Sequence, residues 1–160
     1  MSEGFIEGAN LLAEFGWSFD INPNYTQMDF IREWVKLIHG VPMILDHCGK
    51  PGIKQGRIEQ FREDMNDLAR HPDMWVKLSD LQPYAGENWS EKQLRPYIEA
   101  TLDAFGPDRT IYAGDYPILL QSTSIPEWVA LPGLRHLRGP GLRGRDRREQ
   151  AGVREVPCRQ

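Results

Sequence analysis

Two stretches of this chain share one shape: an apolar run that stops abruptly on polar residues and a turn. Residues 41–45 (VPMIL) run into Asp46-His47 and the turn Gly49-Lys50-Pro51. Residues 110–113 (TIYA) run into Gly114-Asp115-Tyr116-Pro117. A short apolar run bounded by turn residues reads as a buried strand, as in a parallel sheet. In parallel α/β proteins the carboxyl ends of the strands face the functional mouth. A histidine on one tip and an aspartate on another therefore point into one place.

The segments around these strands alternate. Residues 5–15 carry Phe5, Ala9 and Leu12 at helical spacing, and Gly16 suits the position just past a helix end. Residues 17–21 read as a short strand, followed by the turn Asn22-Pro23-Asn24. Thr26 is a candidate N-cap for a helix to about residue 39, with Phe30, Trp34, Leu37 and Ile38 on one face and Gly40 closing it. Residues 57–70 repeat the pattern with Ile58, Phe61, Met65 and Leu68, and His71-Pro72 ends it. Residues 74–79 are a strand and residues 80–88 a long loop. A helix then starts either at the Ser90–Gln93 capping box or near Arg95, with Pro96 at its first position. Residues 110–115 are the fourth strand, and Ser124 caps the start of one more helix. Helix and strand in strict alternation imply parallel strands joined by right-handed crossovers. The fold class is therefore α/β with about four parallel strands: a small doubly wound sheet, or part of an eight-stranded barrel. No glycine-rich phosphate loop follows any strand, which leaves a nucleotide-binding fold without support.

Composition narrows the setting. The 160 residues are 40% hydrophobic and 26% charged, with a net charge of −4. These values suit a water-soluble domain and argue against nucleic acid as a partner. No run reaches the ~20 apolar residues of a membrane span. Cys48 and Cys158 suggest no disulfide framework, and no signal peptide is legible, so a cytoplasmic setting is expected. The charge is uneven: residues 1–130 hold 11 Lys and Arg against 20 acids, residues 131–160 eight Arg against three acids. That tail, rich in Arg and Gly, reads as a nucleic-acid arm, a disordered terminus or sequence translated out of frame, and the last is preferred.

Four motifs then occur in order: Leu45-Asp46-His47-Cys48-Gly49-Lys50-Pro51, Trp75-Val76-Lys77-Leu78-Ser79, Phe105-Gly106-Pro107-Asp108-Arg109 and Gly114-Asp115-Tyr116-Pro117. The ordered set resembles the amidohydrolase-related TIM-barrel hydrolases, in particular their sugar-lactonase and 2-pyrone-4,6-dicarboxylate-lactonase branch. The resemblance runs from about Phe5 to Trp128. It implies a partial (β/α)8 barrel over residues 1–130, corresponding to the later strands. The His-x-His pair that the family carries on its first strand is not in this chain.

By this resemblance Asp115 is the catalytic aspartate, which takes a proton from water and returns it to the leaving group. His47 polarises the carbonyl or holds a metal. From the residues alone, each has a plain alternative: an aspartate capping the turn before Pro117, and a structural histidine. Lys50, Lys77 and Ser79 are candidates for substrate binding, Lys77 because an inward lysine needs a carboxylate or a substrate nearby. Asp46 is read as structural or supporting. No metal ligand is assigned and no cofactor is fixed; the superfamily admits a divalent metal such as zinc, for which His47 and Asp115 alone, without the first-strand pair, make a poor site. The expected partner is a small-molecule lactone or carboxylate, with neither nucleic acid nor membrane. The expected function is lactone hydrolysis, weak or absent in this chain alone. The alternative is a non-catalytic α/β fragment that associates with itself, as a homo-oligomer, or with another chain.

Overall fold

Four short strands form one sheet: β1 (Phe19–Ile21), β2 (Met43–Leu45), β3 (Met74–Leu78) and β4 (Thr110–Tyr112). They lie in the order β1-β2-β3-β4, and every neighbouring pair is parallel. The computed structural model describes residues 3–131; the expectation for the Arg-rich tail lies outside them. A doubly wound sheet reverses its strand order at a switch point. Here each strand is followed in space by the next in sequence, as in a segment of barrel wall.

Helices fill the crossovers: α1 (Glu3–Leu11), α2 (Met28–Trp34), α3 (Ile58–Ala69), the single turn α4 (Gln82–Ala85), α5 (Glu91–Phe105) and α6 (Ile125–Ala130). One face of the sheet is sealed. Met43, Leu45, Met74, Val76 and Leu78 are all fully buried, together with Met65 and Leu68 of α3 and Leu94 and Ile98 of α5. Burying one such side chain contributes about 1.5–3 kcal/mol. The alternate residues Ile44, Trp75, Lys77 and Ile111 are half-buried, and Asp20 beside them is exposed. Cross-strand partners keep to one face, Ile44 opposite Trp75 and Lys77 opposite Ile111.

Local signals held where they were strongest. Gly16 ends the first helical segment with φ 64°. Gln93 accepts from the Ser90 backbone N–H at 2.9 Å, so α5 starts at Glu91 and carries Pro96 within it. Ser124 caps α6 reciprocally with Glu127. The cap of α2 differs from expectation. Asn24, not Thr26, turns the chain: its side chain accepts from the Thr26 N–H, and Gln27 returns to the Asn24 N–H at 2.8 Å. The helix is also shorter than its periodicity suggests. It ends at Trp34 and a 3-10 turn, because Ile38 leaves in extended conformation to become fully buried. Phe30 and Leu37 stay about half exposed as a result.

Candidate active site

The strand tips gather the chemistry. His47 follows β2, Ser79 and Asp80 follow β3, and Asp115 follows β4. His47, Asp80 and Asp115 each bring one donor atom into a group whose members lie within 4.8 Å of one another. Adjacent parallel strands deliver neighbouring tips, so three sequence-distant residues meet without any long loop.

The backbone there is unusual. Among the described residues, five other than glycine have positive φ: His47, Cys48, Lys50, Asp80 and Asp115. All five lie just beyond a strand end. Left-handed backbone on residues with a Cβ is disfavoured and persists where surrounding structure imposes it, often at functional sites. The turn of residues 46–49 is seated by Gly49, whose φ is 71° and where a Cβ would meet Met28 Sδ at 2.9 Å.

His47 Nδ1 lies 3.0 Å from Ser79 Oγ, and Ser79 is almost fully buried. A hydroxyl both donates and accepts, so Ser79 fixes the ring orientation in either tautomer. Asp80 is 5% exposed, and its Oδ1 has no hydrogen-bond partner. Burial first, then the nearby Asp115 carboxylate, pushes the Asp80 carboxyl up to about 6, while His47 and Lys50 pull the other way. Tyr84, on α4, is pushed up to about 12 by burial and by the same two aspartates, which keeps its phenol protonated.

Of the residues singled out in the sequence, His47, Ser79 and Asp115 come together. Lys50 sits in the same turn with φ 49° and acts on Asp80 through its charge. Lys77 lies lower on the sheet and is engaged: its Nζ is 2.6 Å from Asp20 and 2.8 Å from Asp46. The condition that an inward lysine find a carboxylate is thus met inside the chain. Asp80 was not singled out; it reads as the first residue of a loop. The available signal was positional, because Ser79-Asp80 stands after β3 as Asp46-His47 stands after β2.

One imidazole nitrogen and two carboxylates form a donor set suited to a divalent cation, and a buried carboxylate oxygen without a partner is what a cation would neutralise. The residues present therefore fit a metal ion.

Sequential parallel strands with polar tips converging on one mouth define part of an α/β barrel. The chain belongs to the amidohydrolase family, whose model matches residues 5–150. It is 38% identical over 76 residues to an L-fucono-1,5-lactonase of Burkholderia ambifaria, covering 48% of this chain and 26% of that protein. It is 33% identical over 112 residues to an uncharacterized protein of Sinorhizobium fredii, covering 70% of this chain and 37% of that protein. The chain thus spans about a third of the length of these relatives. The fold is similar to the crystal structure of a Burkholderia multivorans amidohydrolase with bound zinc, with a TM-score of 0.79 at 24% identity. That match covers 84% of this chain and 51% of the other. No helix among the described residues is long and apolar enough to cross a membrane.

Proposed function

We propose that the chain contributes the His47–Asp115 portion of an active site that hydrolyses a lactone, with the lactone of a sugar acid as the substrate class. The observation that carries this reading is the convergence of His47, Asp80 and Asp115 at three neighbouring strand tips. The similarity to an L-fucono-1,5-lactonase supports the choice of bond.

Opening a lactone ring forms a bond from water oxygen to the carbonyl carbon and breaks the bond from that carbon to the ring oxygen. Asp115 takes the proton of the attacking water and returns it to the departing alkoxide, so no net proton is consumed in the step. His47 stabilises the oxygen charge that develops at the carbonyl by donating from Nε2, with Ser79 donating to Nδ1. Tyr84, held as a neutral phenol, is a further donor close to the two aspartates. Lys50, in the same turn as His47, suits the carboxylate or hydroxyl groups of the substrate. In place of the His47 hydrogen bond, a divalent cation held by Asp80, Asp115 and the free lone pair of His47 would supply Lewis-acid polarisation of the same carbonyl.

The test is a pH-stat assay of the purified chain against a panel of sugar lactones and a pyrone dicarboxylate. Slow turnover, reduced about 10²–10⁴-fold in Asp115→Asn, is the expected result. A chain that is folded by circular dichroism but neither hydrolyses nor binds any lactone of the panel, by calorimetry, would overturn the reading.

A further inference from the structure

We propose that a groove between the loops beyond β2, β3 and β4 is a subsite for a sugar unit joined to the lactone. The substrate class is then the lactone of an aldobionic acid rather than of a single sugar acid, which rests on the lactone chemistry proposed above for the position of the reacting ring. The groove has a volume of about 900 Å3, within the range of small-molecule sites, and Lys54, Glu87, Asn88, Trp89, Gln121 and Ser122 are among its lining residues. Lys54 lies between β2 and α3, Glu87, Asn88 and Trp89 between β3 and α5, and Gln121 and Ser122 between β4 and α6. All three connections leave the carboxyl end of a strand, so the groove lies at the same end of the sheet as His47, Asp80 and Asp115. Helix α4 links the two. Its Pro83 and Ala85 line the groove, while the Tyr84 phenol between them feels the charges of Asp80 and Asp115.

The walls suit a neutral, hydroxylated ligand. Lys54 and Glu87 are the charged residues of the lining, and their charges cancel. Asn88 and Gln121 are exposed, and their amides make no hydrogen bond among the described residues. Each amide offers donors and an acceptor together, as neighbouring hydroxyls require. Trp89 is fixed, its indole N–H donating to the Ser122 carbonyl at 2.8 Å. A held aromatic ring beside free amides matches the apolar face and polar edge of a pyranose. The same bond ties the β3 connection to the β4 connection. The Lys54 backbone N–H donates to the Tyr84 carbonyl at 2.9 Å and ties in the β2 connection. The groove is thus braced before a ligand arrives, which lowers the ordering cost of binding.

The experiment is calorimetry of the 160-residue chain with gluconate and with lactobionate, which is gluconate carrying a galactosyl unit; neither is a lactone, so no turnover intervenes. Lactobionate is expected to bind about tenfold more tightly, the effect of one or two added hydrogen bonds. In the Asn88→Ala/Gln121→Ala chain this advantage is expected to vanish, with gluconate binding as in the parent. The single Gln121→Ala chain, expected to lose about threefold, gives the same reading if the pair fails to fold by circular dichroism. Equal affinity for the two acids overturns the proposal. So does an advantage that survives these substitutions in a folded chain, or a folded parent that binds neither acid. Lactone hydrolysis without a lactobionate advantage removes the subsite alone. A lactobionate advantage lost in the variants, beside no hydrolysis of any lactone, upholds the groove and removes the reaction alone.

Discussion

The Lys77 ammonium lies 2.8 Å from the Asp46 carboxylate, and this ion pair ties the tip of β2 to β3 directly beneath the His47 turn. A second carboxylate, Asp20 of β1, sits 2.6 Å from the same nitrogen. One lysine therefore spans three adjacent strands. The Asp46 side chain is only 14% exposed and depends on Lys77 for its counter-charge.

Replacing Lys77 by methionine keeps the stem and removes the charge. Asp46 would then be left without its counter-ion, at a cost of about 1–3 kcal/mol. Urea unfolding of Lys77→Met reads this. The double variant Lys77→Met/Asp46→Asn should recover part of the loss, because the orphaned charge is removed as well. Additive losses would show that the pair is not coupled.

The cation-free chain should be less stable at neutral than at acid pH through Asp80. Its carboxyl is held up at about 6 in the folded chain, against an ordinary value of 3.8. The folded state thus holds the proton more tightly than the unfolded state. The contribution is whole below about pH 4 and is lost as pH rises through about 6, worth up to about 3 kcal/mol. In chelator, the melting temperature of the parent chain should fall between pH 4.5 and 7 relative to that of Asp80→Asn. A constant difference between the two chains across that range would refute the assignment.

Cys48 should resist thiol reagents. It is 1% exposed, its Sγ lies 3.4 Å from the Lys77 carbonyl, and burial pushes its thiol up to about 12. Only the thiolate reacts, and at neutral pH almost none is present. In a Cys158→Ser chain, where Cys48 is the single thiol, a chromogenic disulfide should react only at the rate of unfolding. Fast labelling of the native chain would contradict the burial.

Gly49→Ala should weaken the site from a distance of two residues. The new methyl meets Met28 Sδ at 2.9 Å, and the backbone already sits at φ 71°. Strain and overpacking together should cost about 1–3 kcal/mol. Because the same turn carries His47, the substitution is also expected to lower the proposed lactone turnover, while Gly56→Ala, at φ 67° with nothing near it, should lose stability alone.

By itself, the sequence determined the elements and several of their ends, though not the cap or the end of α2. Apolar periodicity, the Gly16 stop, the Ser90–Gln93 pattern and the Ser124 cap act within a few residues, so they are legible without the fold. It also marked His47 and Asp115, because each ends an apolar strand on a polar turn, and the order of the motifs carried the family resemblance. What only the tertiary structure decided depends on register between strands. The parallel order β1-β2-β3-β4 separated a barrel wall from a doubly wound sheet. The same register set Lys77 against Asp20 and Asp46 rather than towards the mouth. Asp80 became the third member of the site only because β3 lies between β2 and β4, with its tip held at positive φ. In sequence Asp80 is one acid at the start of a loop. Its burial and its neighbours are long-range facts that no local pattern records.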